Sequence, residues 1–201
     1  GNTIEAIASN NPNLSILVDA LDATGMSLDR NGSFTVFAPT NDAFVQFLND
    51  NNFESLDDIP VETLRQVLLN HIVTGTNLST DLSTGYIKTL AKGNASSTNT
   101  LSMYVNTTSG VRLNGVANVT AADINASNGV VHVVDAVIGL PTIVTHALAN
   151  PNFTSLVGAL TSAGQPDFVG ILSGNTNAPF TVFAPSNSAF STFESQNPGT
   201  L

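Results

Sequence analysis

The spacing of apolar residues predicts three helices in the first half of the chain. One follows the Asn-Pro-Asn motif at residues 11–13, and another follows residue 40, after a short buried strand at Phe34–Phe37 that Pro39 ends. A third is predicted over residues 57–74, because its apolar positions repeat every three or four residues. The apolar positions that we expect to face the core are Leu14, Leu17, Val18, Leu21, Phe44, Phe47, Leu48, Leu64, Val67, Leu68 and Ile72.

Between residues 85 and 140 the pattern changes to short runs of β-branched and aromatic residues, separated by Gly, Asn and Ser. The predicted strands are 87–90, 101–105, 111–113 and 130–134. Helices that precede a group of antiparallel strands are typical of the α+β class. We therefore expect an α+β fold.

The opening of this pattern occurs twice. Residues from Asn11 read NPNLSILVDAL and residues from Asn150 read NPNFTSLVGAL, while FTVFAPTNDAF at 34–44 returns as FTVFAPSNSAF at 180–190. A repeat of about 140 residues indicates tandem domains, because the repeats of solenoids are far shorter. We predict a complete domain over residues 1–142, with Pro141 at the boundary, and the N-terminal part of a second copy over 143–201.

Composition and charge narrow the classes of partner. Fifteen acidic residues face five basic ones, which gives a net charge of −10, and the basic residues form no stripe that could neutralise phosphates, so nucleic acid is not expected as a partner. The absence of cysteine excludes disulfides. No apolar run reaches the roughly 18 residues of a membrane span, so no transmembrane segment is expected. Gly1 in place of an initiator Met suggests a removed leader or a cleaved tag.

Three segments of the chain resemble the fasciclin (FAS1) domain family. They are the FTVFAP segment with its helix at 34–44, LLNHIVTG at 68–75, and NGVVHVVD at 128–135 followed by Leu140 and Pro141. The segments occur in the order and spacing of the family. The resemblance covers residues 1–142 fully and 143–201 in part.

The resemblance implies a wedge of two small β-sheets with a helical lobe, followed by a partial second copy. Members of the family are secreted, lipid-anchored or matrix proteins that mediate adhesion, often as tandem repeats. The resemblance thus implies a non-enzymatic binding protein that is extracellular or attached to the cell surface.

The resemblance also points to candidate binding residues. In animal members a Tyr-His pair in the first conserved segment and an Asp-Ile pair before the second have been linked to integrin binding. The corresponding positions here are Asn70 and His71, where the aromatic partner is missing, and Asp123 and Ile124, where the pair is retained. The alternative for Asp123 and Ile124 is a solvated turn before a core strand.

Motifs of hydrolases, zinc proteases and nucleotide-binding loops do not occur in the sequence. The histidines are His71, His132 and His146, and the first two fall in apolar segments. We expect them to be core residues that hydrogen-bond to the backbone, and a metal site is the alternative. Neither a catalytic residue nor a cofactor is expected. Tyr86 and Tyr104 are the only tyrosines and there is no tryptophan, so stacking surfaces for sugars are scarce.

Adhesion is the leading functional hypothesis, with an extracellular protein or polysaccharide as the partner. A homodimer is expected if the strand predicted at Phe180–Phe183 lacks a partner and pairs with another chain. A small-ligand or glycan-binding module with a cleft between the sheet and the helical lobe is the alternative. A hydrolase that uses His71 or His132 is a third, weaker hypothesis.

Overall fold

The computed structural model describes residues 2–28 and 32–200. The chain forms two compact units, Gly1–Leu140 and Pro141–Leu201. The break between them falls immediately before Pro141.

The first unit combines helices with a sheet. Its helices are α1 (Ile4–Asn10), α2 (Ser15–Thr24), α3 (Asn41–Asp50) and α4 (Val61–Leu69), with 3-10 turns at Pro12–Leu14 and Leu56–Asp58. Its strands are β1 (Phe34–Pro39), β2 (Ile72–Thr74), β3 (Gly85–Lys88), β4 (Ser102–Asn106), β5 (Arg112–Leu113), β6 (Ala117–Ala126) and β7 (Gly129–Val134).

The strands lie in the order β2-β1-β7-β6-β5-β4-β3. Only the first residues of β6 pair with β5, and the remainder pairs with β7, so two small sheets share this one long strand. The pair β1 and β7 is parallel, while the other pairs are antiparallel. The expected α+β class is confirmed, although the sheet is mixed rather than purely antiparallel.

Local hydrogen bonds explain where the helices begin. The side chain of Thr3 accepts a bond from the backbone N–H of Ala6 at the start of α1, and Thr40 accepts one from Ala43 at the start of α3. Thr40 is therefore the N-cap of α3. Asn41 instead accepts a bond from the Ile16 N–H at 2.9 Å and ties α3 to α2.

Two apolar clusters form the core of the unit. The larger lies between the helices and one face of the sheet, and the smaller lies on the opposite side of β1 and β7. Val36 and Ala38 belong to the larger cluster and Phe37 to the smaller, so β1 is buried on both faces. A strand in that position is stable only between other strands.

One prediction for this unit is wrong, and helix α1 was not predicted. The helix expected over 57–74 is divided into the turn at Leu56–Asp58, α4 and strand β2, because the backbone after Leu69 leaves the helix and pairs with β1. Strand β6 was not predicted. Its residues are mostly small or polar, and its extended form depends on pairing with β7 rather than on its own composition.

The second unit repeats the helical part. Its helices are α5 (Ile143–Ala149), α6 (Thr154–Leu160), α7 (Phe168–Ser173) and α8 (Asn187–Gln196), with a 3-10 turn at Pro151–Phe153. The strand expected at Phe180–Phe183 is absent, and residues 178–186 have no regular structure. The reason is that no other segment within residues 141–200 forms a strand with which Phe180–Phe183 could pair.

Candidate functional site

His71 lies just after α4 and its side chain is buried. Its Nδ1–H donates to the carbonyl oxygen of Val67 at 2.7 Å, and its Nε2 accepts the N–H of Ile138 at 2.9 Å. These two bonds require a neutral ring with the proton on Nδ1. Burial opposes the charged form and lowers the pKa of His71 to about 4, although the bond to Val67 partly offsets this effect.

Asn70 is buried beside His71. Its Nδ2 donates to the carbonyl oxygens of Ile138 and Gly139, each at 3.1 Å, and its Oδ1 accepts the hydroxyl of Thr89. Asn70 and His71 therefore fasten α4 to the chain segment that follows β7. Neither side chain is exposed to a partner in this conformation.

Asp123 lies on β6 at an irregularity of the strand. Its φ is 61° and the pairing register with β7 shifts between Ala121 and Ile124, as in a β-bulge. Its carboxylate accepts the backbone N–H of Ser79 at 2.7 Å and also the Ser79 hydroxyl. These bonds stabilise the charged form and lower the pKa of Asp123. The side chain remains 38% exposed.

His132 lies on β7 directly beneath this bulge. Its ring is fully buried, its Nδ1 accepts the backbone N–H of Asp123 at 3.1 Å, and its Nε2–H donates to the carbonyl of Asn77 at 2.8 Å. The Asn77 N–H in turn donates to the hydroxyl of Thr35 on β1. His132 thus connects the bulge of β6 to the loop that carries Ser79. The expectation that His71 and His132 are core residues bonded to the backbone is confirmed.

Ile124 has a different environment from its neighbour. It pairs with Val131 on β7 and packs, partly buried, against the larger apolar cluster. Asp123 consequently presents its carboxylate while Ile124 anchors the strand. The alternative of a solvated turn is wrong, since both residues belong to β6.

The two candidate pairs are not in direct contact. None of the hydrogen bonds found for residues 2–28 and 32–200 joins Asn70 or His71 to Asp123 or Ile124. Phe37 connects them indirectly, because its N–H donates to the His71 carbonyl at 2.9 Å and its ring stacks on His132 with centroids 5.4 Å apart. A change at one pair can reach the other only through the buried strands.

Ser79, Asp123 and His132 are the residue types of a hydrolytic triad, but their bonds are arranged differently. The serine hydroxyl donates to the aspartate rather than to the histidine, and His132 accepts a backbone N–H. A nucleophilic serine needs the histidine as its proton acceptor. The arrangement instead offers a fixed, exposed carboxylate. No group of three His, Asp or Glu side chains suited to a metal ion occurs in the described part of the chain.

The space between the sheet and the helical lobe is too small for the alternative hypothesis of a ligand cleft. The cavity there measures about 20 Å³ and is lined by apolar side chains and His71. That volume accommodates about one water molecule. A small molecule or sugar could not enter without repacking the core.

Sequence reasoning missed the residues that position Asp123. Ser79 is 44 positions from Asp123, and Asn77 is 55 positions from His132. Only the folded sheet brings them together, and the polar loop at 75–81 carries no motif that would identify them.

Among the described residues, every helix is too short or too polar to span a membrane.

Comparison of the sequence with known proteins finds the same family by more than one route. The family model described as "Fasciclin domain" matches residues 12–141 and 151–201. Protein sll1483 of Synechocystis sp. is 39% identical over 140 residues, which cover 68% of this chain and 72% of that protein. Human periostin is 31% identical over 185 residues, which cover 88% of this chain but only 19% of periostin.

Among solved structures, the chain is similar to the FAS1 domain pair from the insect cell adhesion molecule fasciclin I. It is 23% identical with a TM-score of 0.47, and the match covers 96% of this chain and 62% of that chain. The family match and the Synechocystis relative together support the resemblance of the three conserved segments. This chain belongs to the fasciclin domain family.

Proposed function

We propose that the chain is an extracellular or surface-attached adhesion protein that binds a partner protein or polysaccharide and catalyses no reaction. The observation that carries the proposal is the carboxylate of Asp123, which is 38% exposed on a bulge. Ser79 donates two hydrogen bonds to this carboxylate, and His132 accepts the backbone N–H of Asp123. A group that is fixed before binding loses little conformational entropy when the partner arrives.

The four candidate residues take different roles in this proposal. Asp123 contacts the partner, and Ile124 anchors the strand that carries it. Asn70 and His71 act as positioning residues, because they are buried and hold the segment after β7. Support comes from the geometry of the bulge and from the adhesive character that the family resemblance implies.

The test compares two carboxylates, that of Asp123 on β6 and that of Asp135 directly after β7. Beads coated with the full chain are scored for clustering with one another and for attachment to plates coated with solubilised extracellular matrix. Asp123→Asn should reduce attachment or clustering about tenfold, since a charged contact is lost. Asp135→Asn is the control, because Asp135 is also exposed and bonded to a neighbour, Asn118. Equal behaviour of the two variants would reject Asp123 as the contact.

For the domain organisation we propose a complete fasciclin domain over residues 1–142 and the front part of a second over 143–201. The two separate matches to the family model support this division. Limited proteolysis tests it: a stable fragment that ends near residue 142 is expected, and cleavage within residues 34–134 first would contradict it.

A second proposed function is self-association through the second unit. Phe183 is 92% exposed, and an apolar groove of about 280 Å³ lies between α5, α6, α7 and residues 180–184. Exposed apolar surface of this kind favours association. We propose that a second copy covers both the groove and the adjacent Phe183 and forms a homodimer, now through apolar side chains rather than through a paired strand.

Light scattering after size exclusion measures this association. The wild type should be dimeric and Phe183→Ala largely monomeric at the same concentration. A monomeric wild type over the accessible concentration range would contradict the homodimer.

A further inference from the structure

The fold brings the only two tyrosines of the chain together. Tyr86 on β3 lies directly opposite Tyr104 on β4, and their ring centroids are 5.1 Å apart with the planes tilted by 51°. The ring of Tyr104 is buried, whereas Tyr86 is 50% exposed. A half-exposed aromatic ring that rests on a second ring is a rigid apolar platform at the surface.

The charges of the chain are segregated along its sequence. Ten of the fifteen acidic residues precede residue 63, and no acidic residue occurs from 82 to 122. Three of the five basic residues lie within that acid-free stretch: Lys88, Lys92 and Arg112. A chain with a net charge of −10 therefore contains a local region of positive charge.

Strand register places two of these cations on the same face as the tyrosines. Residues directly opposite in antiparallel strands point to the same side, as do residues two apart in one strand. The pairs Tyr86 with Tyr104, Lys88 with Ser102, and Asn106 with Arg112 thus share one side, which we call the tyrosine face. The opposite side carries Ile87, Met103, Val105 and Leu113, which pack in the smaller apolar cluster.

Lys88 and Arg112 lie on either side of the tyrosine pair. Two strand spacings and four residues separate them, which corresponds to roughly 16 Å between their Cα atoms. Both side chains are exposed. A flat face with an aromatic centre and a cation at each side suits an extended polymer rather than a compact small molecule.

Neither cation is neutralised by an acid. The Lys88 ammonium donates to the carbonyl of Thr100 at 3.1 Å, and the Arg112 guanidinium donates to the Gly115 carbonyl and to Asn118 Oδ1. No ion pair involving either residue occurs in the described ranges 2–28 and 32–200. Asp135 is linked to Arg112 only through Asn118, which accepts a bond from Arg112 and donates bonds to the Asp135 carboxylate.

We propose that the tyrosine face binds a polysaccharide that carries carboxylate or sulfate groups. A sugar ring packs on Tyr86, and anionic groups of the same polymer bind Lys88 and Arg112. Guanidinium and ammonium groups without an internal counter-ion form charge-assisted bonds with such anions. This is a second binding site, on β3 to β5, and it is separate from the adhesion contact that the proposed function assigns to Asp123 on β6.

Intrinsic tyrosine fluorescence reports this site directly, because Tyr86 and Tyr104 are the only tyrosines and tryptophan is absent. The full chain is titrated with polygalacturonate, dextran sulfate, neutral dextran and oligo-deoxythymidine. A saturable change is expected with at least one of the two anionic polysaccharides and not with dextran. The carboxylated and sulfated polymers separate the two kinds of anionic group.

Variants test which residues form the site. Affinity electrophoresis in gels with and without each polymer should show that Lys88→Gln, Arg112→Gln and Tyr86→Ala each weaken retardation about tenfold. Lys92→Gln is the matched control, because Lys92 has the same charge and is exposed but lies after β3, in an irregular segment. It should retain the wild-type affinity.

Three results would overturn the proposal. These are no saturable response to either anionic polysaccharide, equal weakening by Lys92→Gln and Lys88→Gln, or equally tight binding of oligo-deoxythymidine, which would indicate a general polyanion surface. Asp123→Asn distinguishes this site from the adhesion contact: bead attachment should fall while polysaccharide retardation is unchanged.

Discussion

The sequence FTVFAP occurs in both units and has a different structure in each. In the first unit it forms β1, where Val36 and Ala38 are buried and Phe37 is fully enclosed. In the second unit the same six residues form no strand, Val182 is 38% exposed and Phe183 is 92% exposed. The difference lies in the neighbours, since β1 is paired on one side with β2 and on the other with β7.

The residues that follow FTVFAP, in contrast, have the same structure in both units. Asn41 and Asn187 each accept a backbone N–H at 2.9 Å, from Ile16 and Ser155 respectively. The side-chain Nδ2 groups of these asparagines also make matching bonds, to the carbonyls of Pro12 and Pro151. Helix capping and this asparagine bridge therefore use only segments that both units contain, whereas the strand depends on β2 and β7, which have no counterpart among residues 141–200.

The largest expected effect comes from truncating the phenylalanine of the repeated segment. Phe37→Ala should destabilise the first unit by about 4 kcal/mol, because it leaves a cavity in a closed core. Phe183→Ala should change the second unit by less than about 0.5 kcal/mol, because that side chain is already exposed. Hydrogen exchange with mass spectrometry resolves each unit separately and measures both effects, at a concentration where the chain is monomeric.

A large effect of Phe183→Ala on its own unit would show that the second segment is packed in solution. The contrast between the two units would then disappear.

Acid should affect the first unit through His71. Its pKa is about 4 in the folded chain and about 6.5 when unfolded, so the unfolded chain binds the proton more readily. The contribution of the neutral ring is fully present above pH 6.5 and is lost as the pH falls toward 4, with a total of about 3 kcal/mol. Urea unfolding followed by tyrosine fluorescence, which reports the first unit only, measures this slope.

The matched variant His71→Gln removes the titrating group. Its stability should vary less with pH than that of the wild type between pH 6.5 and 4. An identical slope in both proteins would assign the acid sensitivity to other groups.

The parallel pairing of β1 with β7 can be broken at one glycine. A Cβ at Gly129 would lie 1.8 Å from the carbonyl oxygen of Phe34, and φ there is 148°. Gly85 has a similar φ of 154° but nothing within 4 Å of the corresponding position. Gly129→Ala should therefore destabilise the first unit by about 2 kcal/mol more than Gly85→Ala, since only the former adds a clash to the backbone strain.

Tyrosine fluorescence in urea compares these two variants. If the two variants have equal stability, β1 and β7 move apart at residue 129 without a loss of stability. The pairing with β7 would then not be what keeps β1 rigid.

Helices α2, α3 and α4 and several of their core positions could be predicted from the sequence because they depend on local periodicity, whereas α1 was not predicted. Leu14, Leu17, Phe44, Leu64 and Leu68 are all buried as the spacing indicated. The end of α4 could not be predicted, because the residues after it pair with the distant strand β1. Strand β6 could not be predicted, because its small and polar residues show no strand pattern and become extended by pairing with β7. The same reason made the strand prediction correct at 34–37 and wrong at 180–183.

The candidate site shows the same limit. The family resemblance located Asp123 and His71, and the apolar segment around His71 predicted its burial. The bond of His71 to the Ile138 N–H and the bonds between Asp123 and Ser79 follow only from the folded structure. Nothing in the sequence near residue 86 indicated that Tyr86 would meet Tyr104, since they are joined by strand pairing.

The smallest expected effect tests the feature that the two units share. Asn41→Ala and Asn187→Ala should each cost about 1 kcal/mol, because each removes hydrogen bonds from a partly exposed side chain. Exchange of the backbone amides of Ile16 and Ser155 should accelerate about fivefold in the corresponding variant. Asn51→Ala is the control, because its side chain bonds only to the Phe47 carbonyl within α3. If only Ile16 responds, the asparagine bridge also needs the sheet, and the two units have no independent local structure in common.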